Sequence, residues 1–126
     1  MTVLIDSSAW IDFLRGSKIS GEIELILFSN DEIILSAVSI AEVYKYMLSN
    51  YTTKEADDVM KFMLQRGFVI PVTVEIAKET AKLRQQRSLS LGDAFIMATA
   101  RLHNAQILTC DADFKNEPDV IYLSSK

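Results

Sequence analysis

Apolar and polar positions along the chain alternate between two periods. Val3-Leu4-Ile5, Ile33-Ile34-Leu35, Phe68-Val69-Ile70-Pro71, Gln106-Ile107-Leu108-Thr109 and Val120-Ile121-Tyr122-Leu123 are short apolar runs rich in β-branched residues, and they predict five strands. Between them the apolar residues fall at helical spacing. Asp6-Ser7-Ser8 ends the first run and can cap a helix carrying Ala9, Trp10, Phe13 and Leu14. Residues 22–28 predict a short helix with Ile23, Ile26 and Leu27 inward, and Ser36 starts a helix that runs through Leu48. Thr52-Thr53-Lys54-Glu55 has the form of a capping box, Ala56, Val59, Met60, Met63 and Leu64 follow it, and Gly67 sits where a helix C′ residue belongs. An amphipathic helix over 73–87 and a mostly buried one over 91–103 complete the pattern.

Strands alternating with helices predict an α/β fold, and every connection except the last is long enough for a helical crossover. The last, residues 110–119, has room for a short helical turn only. A parallel sheet covered on both faces follows, and in such sheets ligands bind outside the carboxyl ends of the strands.

Composition narrows the setting. At 126 residues the chain is expected to be one domain, 1–126, and 49% apolar residues with only four Gly and two Pro exclude a disordered or linker-like polymer. No apolar run approaches the roughly 20 residues of a bilayer span, so no membrane segment and no signal peptide is expected. Cys110 and His103 are the lone members of their kinds, which removes an intrachain disulfide and a zinc site and predicts a reducing, cytoplasmic setting. The net charge of −4 argues against a sleeve that holds nucleic acid by bulk positive charge. That charge is uneven: residues 1–63 hold ten acids and five bases, residues 64–126 seven acids and eight bases. Lys78, Lys82, Arg84 and Arg87, against Glu79, form the one concentrated basic stretch.

Four acids fall where the sheet's carboxyl edge should be. Asp6 follows the first strand, Asp111 follows the fourth, Asp93 begins the helix that leads into the fourth, and Glu42 lies in the first turns of the helix after the second. Like charges brought together repel, so such a cluster calls for a cation; oxygen-only ligands favour Mg²⁺ or Mn²⁺ over Zn²⁺. Without these four, 13 acids balance the 13 bases, so the acidity of the chain does not count against a nucleic-acid substrate. Each Asp also has a plain alternative as a helix N-cap. Glu42 is too deep in its helix to cap, and its plain alternative is a solvated pair with Lys45.

Over essentially its whole length the chain resembles PIN-domain nucleases of the VapC toxin type. The resemblance rests on Val3-Leu4-Ile5-Asp6-Ser7-Ser8-Ala9-Trp10-Ile11-Asp12, Ser39-Ile40-Ala41-Glu42-Val43, the run from Leu91-Gly92-Asp93-Ala94 to Ala100, and Ile107-Leu108-Thr109-Cys110-Asp111-Ala112-Asp113-Phe114, in that order and spacing. It implies a flavodoxin-like three-layer fold around a five-stranded parallel sheet. It also implies an endoribonuclease using one or two Mg²⁺ or Mn²⁺ ions, with Asp6, Glu42, Asp93 and Asp111 as the acidic centre. By the same resemblance, water activated by the metal attacks the phosphodiester and leaves a five-prime phosphate and a three-prime hydroxyl. Asp6 and Asp93 carry over as direct ligands. Asp111 is the expected third, with Asp113 as an outer or alternative ligand, because either acid of the Asp-x-Asp-Phe motif can face the metal in this family. Ser7 and Thr109 match hydroxyl positions that orient a carboxylate or a water, and equally suit ordinary cap and turn roles. A cognate antitoxin and a homodimer are the implied partners.

Further expectations concern the surface. Arg84 and Arg87 are expected to guide RNA toward Asp93, and Trp10, Tyr44, Tyr46 and Tyr51 to supply apolar surface for a dimer built by the first and third helices. Two other functions compete. A receiver-type signalling domain needs an acidic pair after the first strand, an acceptor Asp after the third and a Lys after the last; here Pro71-Val72-Thr73 follows the third and the tail is Ser124-Ser125-Lys126. A PIN fold that binds RNA or protein without cleaving it is the other, and the presence of all four acids disfavours it.

Overall fold

A computed structural model of the chain describes residues 1–124, so the last two positions of the tail lie outside the described residues. The elements run β1 (Thr2–Ile5), α1 (Ser7–Arg15), α2 (Ser20–Leu27), β2 (Glu32–Ser36), α3 (Ala37–Asn50), α4 (Thr53–Arg66), β3 (Phe68–Ile70), α5 (Val74–Gln86), α6 (Leu91–Leu102), β4 (Gln106–Thr109), a single 3₁₀ turn (Ala112–Phe114) and β5 (Val120–Tyr122). All five strands are parallel, in the order β3-β2-β1-β4-β5. Flavodoxin's own order is 2-1-3-4-5. Here β1 is central and the direction of winding reverses between β1 and β4, which opens the crevice at the carboxyl ends of those two strands.

Register and the two-residue period of a strand divide the core. Leu4 lies opposite Ile34 and Ile107, and these three face α5 and α6 with Ile76, Leu83, Ile96 and Met97. Val3, Ile5, Ile33, Leu35 and Leu108 point to the other face, where Trp10, Ile23, Val43 and Met63 of α1 to α4 cover them. Burying both faces explains why the central strands read as unbroken apolar runs. Each fully buried Leu or Ile contributes roughly 1.5–3 kcal/mol, so the three central strands anchor the molecule.

Trp10 is a correction to the sequence reading. It is fully buried, edge-on to Phe13 at 6.4 Å and to Phe62 at 6.2 Å, because α4 closes over the face of α1 that carries it. It therefore offers no dimer surface, and of the four aromatics expected there Tyr51 is the exposed one. Tyr44 is half-buried and ties α3 to α4 by donating its hydroxyl to Asp57 at 2.7 Å.

The Thr52–Glu55 capping box forms as expected. Gly67 ends α4, yet with φ −136° it needs no left-handed backbone. Close approach favours glycine there instead: a Cβ would meet Ile33 Cγ2 and Leu35 Cγ at 3.1 Å and the Ile33 carbonyl at 3.2 Å, so these neighbours would have to give way by a few tenths of an ångström. Gly67→Ala is expected to destabilise the protein by about 1–3 kcal/mol, read as a lower urea midpoint with an unchanged slope. An unchanged midpoint would show that β2 and α4 can separate freely.

Candidate metal centre

Asp6 is placed by three backbone bonds of two opposite kinds. Its N–H donates to the Leu108 carbonyl at 2.9 Å, extending the β1–β4 ladder by one residue, while its own carbonyl accepts from Ala9 and Trp10 and starts α1. The side chain is 4% exposed. Oδ1 accepts the Ser7 N–H at 2.8 Å and lies 3.4 Å from the Ser7 hydroxyl; Oδ2 accepts from the Ser8 hydroxyl at 3.0 Å and the Thr109 hydroxyl at 2.9 Å. A side chain capping a helix ordinarily serves the second or third helical N–H. Asp6 reaches only the first, so capping does not account for this carboxylate. Burial raises its pKa above the ordinary range; the bonds from Thr109, Ser8 and Ser7 oppose that rise, and the charge of Glu42 adds to it.

Asp93, Asp111 and Asp113 form the second part of the site. Ser90 caps α6 by accepting the Asp93 N–H at 3.1 Å, so Asp93 is freed from the capping role open to it in sequence. Asp111 does cap: its Oδ1 accepts the Asp113 N–H at 2.9 Å, which bends the chain after β4 into the 3₁₀ turn and brings Asp113 back beside it. One carboxylate oxygen from each of Asp93, Asp111 and Asp113 lies within 4.8 Å of the others. Asp111 and Asp113 both belong to this cluster, and Asp113 is its exposed member. Burial first, then the charge of Asp111, raises the Asp93 pKa; the bond with Ser90 opposes this, and Asp6 and Asp113 add to it.

Glu42 completes the row from the exposed side. Ser36 caps α3 through the Val38 N–H, and the buried face Ser39, Val43 and Met47 leaves Glu42 on the rim. Its Oε1 accepts the Ser7 hydroxyl at 3.1 Å, and among the described residues it forms no ion pair with Lys45. A Cβ on Gly92 would stand 3.9 Å from Glu42 Oε2, an ordinary contact distance, so the first turn of α6 lies beside Glu42.

The donor set is entirely oxygen, the carboxylates of Asp93, Asp111 and Asp113 share a small volume, and Asp93 within it and Asp6 beside it are held above their ordinary pKa by burial and neighbouring charge. A hard divalent cation fits that set and relieves both effects. Other chemistries lack parts. The Cys110 thiol is pushed up to about 12 by burial and by its bond to Asp12, so no thiolate is at hand. His103 caps the far end of α6, about 18 Å along the helix from its start.

The basic stretch divides in two. Arg87 pairs with Glu117, donating Nη1 to Oε2 at 3.0 Å, and also approaches the Met97 sulfur; the pair ties the α5–α6 junction to the chain before β5. Arg84 is exposed and uses Nε on the Leu89 carbonyl at 3.2 Å. Of the two residues expected to meet RNA, Arg87 therefore has a structural task. Arg87→Ala is expected to lower stability by about 2 kcal/mol, measured by urea denaturation, because it strands a mostly buried Glu117. A loss below 0.5 kcal/mol would return Arg87 to the surface.

Ser8 is the residue that sequence reasoning passed over, treating it as one of several cap hydroxyls. Nothing in the spacing marks it, because its partners, the Cys110 N–H and the Thr109 hydroxyl, lie about a hundred positions away.

The PIN domain profile matches residues 3–118. No curated protein matches the sequence. Among solved structures, the chain is similar to a toxin–antitoxin complex from Klebsiella pneumoniae, with 26% identity, TM-score 0.76, and 94% of this chain and 95% of that one covered. It shares the fold of VapBC2 from Rickettsia felis bound to a promoter DNA fragment, at 17% identity, TM-score 0.77 and 98% of both chains. It also shares the fold of the Mycobacterium tuberculosis toxin VapC20, which cleaves the sarcin-ricin loop, at 19% identity, TM-score 0.74, and 92% and 95% of the two chains.

Proposed function

We propose, starting from the fact that the chain belongs to the PIN-domain family, that it is a Mg²⁺- or Mn²⁺-dependent endoribonuclease and the toxin of a toxin–antitoxin pair. The observation that supports the reading is the cluster of Asp93, Asp111 and Asp113, with Asp6 near enough for its charge to raise the Asp93 pKa and Glu42 joined to the Asp6 turn through Ser7, at the carboxyl edge where β1 and β4 diverge. Asp6, Asp93, Asp111 and Asp113 would hold the ion. A bound divalent ion supplies Lewis acidity at the phosphate and a water made acidic enough to attack it at neutral pH. The chain supplies the rest. Asp6 is held by hydroxyls, and Glu42, exposed and bonded to Ser7, is placed to orient the attacking water or accept its proton. With no ion the same carboxylates repel RNA phosphates, so metal and substrate binding are coupled.

Arg84 is the phosphate contact of the basic stretch. Arg84→Ala is expected to weaken RNA binding and reduce the salt slope by about 0.7 while leaving stability unchanged; an unchanged slope would discard it. Kinship with a toxin–antitoxin complex supports a cognate antitoxin as partner, and exposed Leu48 and Tyr51 at the end of α3 support a homodimer. A cytoplasmic site of action goes with these partners. Among the described residues no helix is long and apolar enough to cross a membrane.

The test is incubation of structured and single-stranded RNA with the purified protein in Mn²⁺, in Mg²⁺ and in excess chelator, with end-group mapping of the products. Cleavage that requires the ion and leaves five-prime phosphates is the expected result. RNA binding without cleavage under all conditions would point to a non-catalytic PIN module.

A further inference from the structure

We propose that Ser8 is a positioning residue for the metal centre: its hydroxyl ties the turn that carries Asp6 to the turn that carries Asp111 and Asp113, and leaves Asp6 a single oxygen, Oδ1, for the cation. This rests on the metal-centre reading given above.

The hydrogen bonds around Ser8 close on themselves. Ser8 Oγ accepts the Cys110 N–H at 3.0 Å, and Thr109 Oγ1 accepts the next N–H, that of Asp111, also at 3.0 Å. The two hydroxyls lie 3.1 Å apart, and each is within bonding distance of Asp6 Oδ2. A hydroxyl has one proton to give. With a backbone N–H already occupying a lone pair on each, the proton of each is directed at its strongest acceptor, the buried carboxylate. Oδ2 then holds two donors and is turned into the protein. Oδ1 holds the Ser7 N–H, and the Ser7 hydroxyl, at 3.4 Å, lies nearer to Glu42, so Oδ1 is the oxygen left for a cation.

Ser7 and Ser8 therefore do different work despite being neighbours in the same turn. Ser7 reaches outward to an exposed Glu42. Ser8 reaches inward across the sheet to a strand end 102 positions away and sets the distance between Asp6 and the Asp111–Asp113 turn. Thr109 makes a parallel bridge, from the Asp111 N–H to Oδ2, so the two hydroxyls act as a pair. Without Ser8 the Cys110 N–H loses its side-chain acceptor and Oδ2 is left with one donor of its two.

The experiment measures Mn²⁺ affinity by the paramagnetic resonance of free Mn²⁺, and metal-free melting temperature, for wild type, Ser8→Ala and Ser8→Thr. Ser8→Ala is expected to bind Mn²⁺ at least about tenfold more weakly, the usual effect of removing a group that orients a ligand. Ser8→Thr, which keeps the oxygen, is expected to bind within about threefold of wild type. If Ser8→Ala only lowers the metal-free melting temperature and binds Mn²⁺ within twofold of wild type, Ser8 is merely structural and the proposal is overturned while the metal centre stands. A Thr variant as weak as the Ala variant overturns it too, because the hydroxyl is then not what matters. No uptake of Mn²⁺ by the wild type removes the metal centre itself, and the role of Ser8 with it.

Discussion

Asp93→Asn is expected to abolish RNA cleavage, by at least about 100-fold, and to leave the metal-free protein as stable as wild type or more so. The two halves of that outcome come from the same geometry. Asp93 sits in the first turn of α6, where its charge gains about 0.3–1 kcal/mol from the helix dipole, and Asn forfeits that gain. Against this, Asn removes the repulsion from Asp111, Asp6 and Asp113 and the cost of burying a charge, the effects that raise the Asp93 pKa. Helix capping is untouched, because Ser90 caps α6. A residue held only for structure behaves in the opposite way, losing stability and keeping function. Cleavage assays and thermal melts of the two proteins in chelator decide the matter; a variant that still cleaves RNA, or one that melts several degrees lower without metal, removes Asp93 from a shared site. Surplus stability in the inactive variant is the mark of a site that strains the fold for its chemistry.

The division of the chain into elements was legible because local rules and packing agree. All five strands and six helices fall within a few residues of the positions set by apolar period and cap chemistry, since strands buried on both faces must be apolar throughout and each crossover helix must carry a stripe. The order of the strands was not legible. Nothing in β1 or β4 marks them as neighbours, and that pairing depends on which side of β1 the chain turns after β3. Trp10 shows a related limit. Its spacing with Phe13 on α1 fits either a core or an exposed face, and only the arrival of Phe62 on α4, about fifty residues later, decides for the core.

In the site, the acids and two hydroxyls beside them, those of Ser7 and Thr109, could be named from the sequence, and Ser8 could not. Asp6, Asp93 and Asp111 stand out because each follows or leads into a strand, and topology alone sends them to one edge. Asp113, expected as an outer or alternative ligand, is brought back beside Asp111 by the bond from its own N–H to the Asp111 carboxylate, a contact that spacing alone does not show. Ser8 and Arg87 make contacts that the sequence does not mark, for a common reason: each meets a partner, the Cys110 N–H and Glu117, in a different stretch of chain. A charge or a hydroxyl names a capacity, and its use is settled by whatever packing brings within 3 Å.

Mn²⁺ is expected to stabilise the protein strongly at neutral pH, and that stabilisation should fade on acidification sooner than ordinary carboxylates would allow. At a free concentration 100 times Kd, mass action gives about 2.7 kcal/mol, or about 10 °C in melting temperature for a chain of this size; Asp93→Asn should show less than about 3 °C. The pH dependence follows from Asp6 and Asp93, both held above the ordinary 3.8. In the metal-free protein a raised folded pKa means that the native state binds protons more tightly than the unfolded chain. The stability these two groups contribute is then fully present below their ordinary value and is lost as pH rises through the raised one. Metal-free protein therefore gains from them on acidification from neutral pH. Metal-loaded protein loses, because the ion needs the ionised carboxylates that protons now occupy. The two melting curves should approach one another from opposite sides as pH falls toward 4, and in Asp93→Asn the approach should be shallow because the gap at neutral pH is already small. Melts with and without Mn²⁺ across pH 4 to 7.5 test this directly: equal Mn²⁺ shifts in both proteins, or a wild-type shift that does not vary with pH, would falsify a cation held jointly by Asp6 and Asp93.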